Sequence, residues 1–373
     1  MIDHRARTPE QTWEAFSGVF ERVGITRVAE LTRLDRIGIP VFQAVRPLAR
    51  SLTLSQGKGL SAASARVGAA MESVEVWHAE RPSVDHRAPI REVALQLPYN
   101  LEALTRSDMI VPIPPARIQD WTTATSLVNG SITVVPTEAI RFDLTLPVWP
   151  PRVFDGTTNG LASGNTLIEA QLHGMLEVIE RDSVARTLAQ YSSSRVTLAA
   201  RAIDPHTVTG PASRMLEAVW SADCTVTIAD MTADWGVATL VCVISSRDTV
   251  FRAGGFGCDP DREVALSRAV CEAAQSRLTM ISGARDDIDT TLYRHPSALD
   301  PLPSELANGE GVGSAFSSVP TAAVCADPSD ELNLLVSLLK RRGHMPVAVD
   351  LTDSDLGLPV TKIIVPTLTR FDF

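Results

Sequence analysis

Carboxylates recur three residues apart at separate places in this chain. Glu72 and Glu75 form one pair, Glu177 and Glu180 a second, and Glu272 with Gln275 repeats the spacing with an amide in the second place. Residues three apart share a helix face. At about 100° per residue, Glu169, Glu177 and Glu180 fall within about an 80° arc, with His173 inside it. Arg268, Glu272 and Gln275 span about 60° by the same count. On an arbitrary helix such carboxylates are a solvated edge. Five glutamates on two helices of apolar pattern call for something more, because crowded carboxylates repel and must be paired or bound to metal. Mg2+ takes oxygen ligands and bridges to phosphates, so the residues point to an acidic Mg-nucleotide site. A P-loop is not its basis: G-x-x-x-x-G-K-[ST] is absent, and Gln56-Gly-Lys-Gly59 reads only as a turn.

Long helices must carry these groups. The apolar periodicity predicts helices over 61–80, 166–190 and 262–282, each after a glycine-containing turn. Residues 1–50 read as helical with a turn, opened by Thr8 as N-cap and Pro9 in the first turn. Arg50 to Ser55 alternates as a strand, residues 81–90 and 111–116 read as loops, and 225–229 and 238–244 read as a hairpin. A helix is expected over 332–342 and strands over 347–351 and 363–365; the stretch 283–325 reads as loops with short elements. The fold class is therefore α+β, with mixed sheets packed against long helices.

The net charge of −10 argues against a nucleic-acid partner, whose backbone calls for a basic face. No apolar run is long enough to span a membrane, and the polar N-terminus is not a signal peptide. The expected location is the cytoplasm. Five scattered cysteines without a C-x-x-C pair fit reduced thiols and not a zinc site.

The three helices and their turns together resemble the YcaO family. The resemblance rests on Ser55-Gln-Gly-Lys-Gly59 with Ala69-Ala-Met-Glu-Ser-Val-Glu75, on Asn159 to Asn165 with Leu176 to Asp182, and on Gly255 to Pro260 with Arg268 to Arg277. Val349-Asp-Leu-Thr352 and Gly357-Leu-Pro-Val360 extend it, so that it covers about residue 45 to 370. It implies a YcaO-type ATP-binding fold without a P-loop, a helical segment at 1–48 and a catalytic domain at 49–373. Carried over by motif position, Glu72, Glu75, Glu169, Glu177 and Glu180 would hold Mg2+, and Lys58, Asn165, Arg181, Arg268 and Gln275 would contact ATP. The implied activity is phosphorylation of a backbone amide oxygen in a ribosomally made precursor peptide, giving a thioamide, a macrocyclic amidine or an azoline. A non-catalytic scaffold that binds a precursor peptide or partner is the alternative. A homodimer is expected.

Two departures from the family pattern stand out. Val76 follows Glu75 where an arginine is common, and Gly68 stands where a serine is often found. The chain ends in Arg370-Phe-Asp-Phe373 without the proline-rich tail of azoline-forming members. Gly38 to Pro47 and Trp77-His-Ala-Glu80 look like members paired with a TfuA-like protein, many of them linked to thioamidation.

Overall fold

The computed structural model describes residues 5–106, 112–147, 152–193, 201–285, 288, 313–322 and 325–368. The C-terminal residues 369–373 noted above lie outside the described residues, as does most of 286–312.

Helix α1 (Pro9–Arg22) starts at Thr8, whose hydroxyl accepts from Gln11 N while the Gln11 side chain returns to Thr8 N. This reciprocal cap satisfies two N–H groups the helix cannot pair internally. Phe16, Val19 and Phe20 bury its apolar face in a cluster with Val67, Ala70 and Val74 of α2 (Ala62–Ala79). Along the chain between these two helices come β1 (Arg27–Glu30), β2 (Val41–Val45) and β3 (Leu54–Lys58), an antiparallel sheet whose β2 and β3 pack on α2. Reading 1–50 as helical is corrected there. Gln56-Gly57-Lys58, expected as a turn, is strand, because it pairs in register with Val41–Gln43. A second correction concerns 81–90, which contains strand β4 (His86–Pro89) and opens the short helix α3 (Ile90–Val93).

The six-stranded sheet is built from β4, β5 (Ile118–Ser126), β6 (Ile132–Pro136), β7 (Leu161–Ser163), β13 (Val347–Asp350) and β14 (Val360–Ile364). Its order is β4-β5-β13-β14-β7, with β6 paired to β5. The five-stranded sheet contains β8 (Ala202–Asp204), β9 (Cys224–Asp230), β10 (Ala238–Ser246), β11 (Ala253–Asp259) and β12 (Ser314–Ala315), in the order β11-β10-β9-β8-β12. Helices α4 (Leu167–Ser193), α5 (Pro211–Ser221), α6 (Arg262–Ser282) and α7 (Pro328–Arg341) pack on these sheets. The hairpin expected around Asp230–Trp235 is present, with Leu240 opposite Asp230.

Of the three strand–helix units β3–α2, β7–α4 and β11–α6, the first and third share one packing device. A Cβ on Gly57 would sit 2.1 Å from Ala65 O and Ala69 N, and one on Gly257 would sit 2.1 Å from Ala265 O. Only glycine lets the strand lie this close on its helix. At the far end of α2, Arg46 grips Glu80 through Nη1–Oε2 (2.8 Å) and Nη2–Oε1 (2.6 Å), both side chains buried. Glu80 also accepts from Arg50 N, Ser51 N and the Ser51 hydroxyl, tying the β2–β3 loop to the helix. Burial alone would raise the Glu80 pKa; the Arg46 and Ser51 bonds outweigh it and hold the carboxyl below its usual range.

Candidate active site

The close strand–helix packing decides where the carboxylates go. In each unit the glutamate that opens the three-residue spacing accepts from backbone in the strand or just before it. Gln56 N donates to Glu72 Oε2 (2.7 Å), Phe256 N to Glu272 Oε1 (3.3 Å), and the Gly160 N–H to Glu177. Glu75 crosses between units and takes Ser163 N (2.8 Å) and the Ser163 hydroxyl (2.6 Å). Glu180 is buried at 6% exposure, Glu75, Glu177 and Glu272 are half-buried, and Glu72 and His173 are open to the cleft.

These groups feel one another. Glu75 is pushed up to about 8, first by burial and then by the Glu72 and Glu177 charges. Glu180 is pushed up to about 7 by burial and Glu272, against the pull of Arg181 and Arg268. Burial raises Glu177 too, opposed by Arg181 and Lys362. Glu72 is raised in the same sense, first by the protein around it, and water on its open side screens the effect. Glu272 is the exception. Burial would raise it, but Lys58 and Arg181 hold it below the usual carboxylate range. His173 is lowered, first by the protein around it and then by the Arg268, Arg5 and Lys58 charges, and water on its open side screens the effect.

The structure therefore brings Glu72, Glu75, Glu177, Glu180, Lys58, Arg181 and Arg268 into one charge cluster, with Arg181 Nη2 3.8 Å from Glu177 Oε1. Gln275 Oε1 is buried and has no hydrogen-bond partner among the described residues. Glu169 and Asn165 sit at the N-terminal end of α4 and are engaged differently. Glu169 Oε2 accepts from Asn165 N (2.9 Å) and Nδ2 (3.0 Å), and Oε1 accepts from Ala6 N (2.5 Å). The Thr12 hydroxyl donates to Asn165 Oδ1 (2.8 Å), and Arg7 reaches Asn165 O (3.4 Å).

Among the described residues no three His, Cys, Asp or Glu side chains already converge at metal-ligand distance. The donor set nevertheless fits a hard divalent cation. Carboxylates that raise one another's pKa are the groups a cation relieves, and all the donors are oxygen.

Sequence reasoning left three groups unassigned. Glu272 had been placed on the right face, and its signal was the spacing shared with Glu72: Gly57 and Gly257, the caps Ser61 and Asp261, then Glu72 and Glu272. Lys362 stands out as a lysine within Val360–Ile364, an otherwise uncharged buried strand. Ala6, Arg7 and Thr12 carried no signal beyond the helix cap.

A family model described as YcaO cyclodehydratase, ATP- and Mg2+-binding, matches residues 56–369. An uncharacterized protein of Mycobacterium tuberculosis is 34% identical over 369 residues, covering 98% of this chain and 82% of that protein. A Rhizobium leguminosarum bv. trifolii protein described as lying in the tfuA 3′ region is 34% identical over 382 residues, covering 98% and 88%. Among solved structures, the Methanopyrus kandleri YcaO bound with AMPPCP and Mg2+ superposes with a TM-score of 0.75 at 22% identity, covering 98% of this chain and 94% of that one.

Proposed function

This chain belongs to the YcaO cyclodehydratase family, whose members bind ATP and Mg2+, and on that premise we propose that it activates a backbone amide of a precursor peptide for thioamidation, working with a TfuA-like partner. The observation that carries the reading is the gathering of two Glu-x-x-Glu pairs with Lys58, Arg181 and Arg268 into one charge cluster. Glu72, Glu75, Glu177 and Glu180, kept together with Glu272 against their mutual repulsion, favour an enzyme over a passive scaffold, which has no use for that cost. The relative described as lying in the tfuA 3′ region supports the partner. Among the described residues no helix is long and apolar enough to cross a membrane.

When bound, ATP with Mg2+ supplies the phosphoryl group that turns the amide oxygen into a leaving group. Glu72, Glu75, Glu177 and Glu180 would hold the metal, and Glu169 would join them on exchanging its Ala6 contact. Arg181, Arg268 and Lys58 supply positive charge, and Asn165 and Gln275 supply polar contacts for the nucleotide. Alignment of a poor electrophile with the phosphoryl donor is the service this cleft renders.

The nucleophile comes from outside the protein. Burial and the Glu180 charge push the Cys258 thiol up, and the side chain is fully buried, so it makes a poor sulfur carrier. Incubation with ATP, Mg2+, sulfide, a TfuA-like protein and the precursor peptide tests the product. A mass gain of about 16 Da marks exchange of oxygen for sulfur; a loss of about 18 Da, from dehydration to an azoline or amidine, would contradict the thioamide.

A further inference from the structure

The start of α4 is held by residues from the other end of the sequence. Ala6 N donates to Glu169 Oε1 (2.5 Å), and Arg7 Nη1 donates to Asn165 O (3.4 Å). The Arg7 guanidinium also lies 5.6 Å from the centre of the Phe16 ring on α1. The Arg5 charge reaches His173, about one turn beyond Glu169 on α4. Behind them the buried Thr12 donates to Asn165 Oδ1 (2.8 Å). The two oxygens of Glu169 are not equivalent. Oε2 takes both Asn165 N (2.9 Å) and Asn165 Nδ2 (3.0 Å). Two donors fill the lone pairs of one carboxylate oxygen. Oε1 is therefore the oxygen left for a cation, and it is the one the Ala6 N–H holds.

We propose that Arg5-Ala6-Arg7 is a strap that holds the Glu169 end of the site in the metal-free protein and is released when Mg2+ and nucleotide enter. The strap rests on the nucleotide-binding reading above. An N–H hydrogen and Mg2+ both present positive charge to the oxygen they would share, and each disfavours the other there. Two arginines beside the same oxygen add to that repulsion. Ala6 and Arg5 are exposed, and such a segment opens at little cost. On release the Ala6 N–H passes to water. Asn165 keeps its two bonds to Oε2, so Glu169 stays oriented through the exchange. Helix α1 stays docked, because Phe16, Val19 and Phe20 bury its apolar face and Thr8 caps it. The movement is thus confined to the residues before Thr8.

Two measurements on the full chain test the strap. The first is the Mg2+ concentration that half-saturates AMPPCP binding, read by calorimetry. Ala6→Pro removes the N–H that competes for Oε1, so this concentration falls about fivefold. Ala6→Ser keeps the N–H and matches the wild type. In a Glu169→Ala background Ala6→Pro changes nothing, because the contested oxygen is gone. The second is limited trypsin cleavage after Arg5, followed by mass spectrometry. The bond cut there contains the Ala6 N–H itself, so release of the strap exposes it. Mg2+ with AMPPCP speeds this cut in the wild type about threefold or more, and neither component alone does so. Unchanged or slower cleavage with Mg·AMPPCP bound would overturn the strap. So would an Ala6→Pro protein that needs as much Mg2+ as the wild type, or more. A wild-type protein that takes up no Mg·AMPPCP contradicts the nucleotide reading itself and the strap with it, an outcome distinct from both.

Discussion

Lys58 of β3 and Glu272 of α6 meet at 2.5 Å, joining the first and third strand–helix units across the cleft. The side chains are 30% and 23% exposed, so water screens the pair, and it contributes about 1 kcal/mol or less to the fold. Its larger effect is on charge, since Lys58 is the leading cation that keeps Glu272 ionised against burial. Lys58→Met should leave the urea midpoint nearly unchanged and weaken Mg·AMPPCP binding about tenfold by calorimetry. A large loss of stability with normal affinity would make the pair a structural clasp.

Stability should depend on pH in an uncommon sense. Glu75 and Glu180 are raised from 4.5 to about 8 and about 7 in the folded protein. Between pH 4.5 and 8 the native state holds protons that the unfolded chain has released, so stability falls as pH rises through that window. The metal-free melting temperature should therefore decrease from pH 5.5 to 8.5. Mg2+ with AMPPCP should flatten the slope, because a cation favours the ionised carboxylates. A metal-free melting temperature that rises over the same range contradicts the electrostatics given for the cleft.

Cys258 faces the core beside Met175 and Val237 and is fully buried. Cys258→Ser should keep at least about half of the peptide-dependent turnover, its cost being confined to a polar hydroxyl in that core. A persulfide or phosphate found on Cys258 by mass spectrometry would overturn the external source of sulfur.

The three long helices were legible because each is a run of 18 or more residues with no proline after a glycine-containing turn; α6 spans the expected residues 262–282. Strand β3 was misread at Gln56-Gly57-Lys58, since glycine normally breaks strands and here it is needed for contact with α2 at Ala65 and Ala69. Strands β1 and β2 were missed because their pairing is tertiary and their pattern is short. At the site, residues on one helix face could be gathered by counting turns. The contacts of Ala6 with Glu169 and of Thr12 with Asn165 join positions more than 150 residues apart, which no local pattern encodes.

The most direct test of the carboxylate site is calorimetric titration of AMPPCP with and without Mg2+, in the wild type and in Glu180→Gln. The substitution preserves side-chain volume while removing a carboxylate that sits 6% exposed between Glu177, Glu272 and two arginines. Wild-type binding that requires Mg2+, and that weakens at least about tenfold in the folded variant, is the predicted result. Binding that is independent of Mg2+, or equally tight in Glu180→Gln, would contradict the claim that these glutamates hold a metal–nucleotide complex.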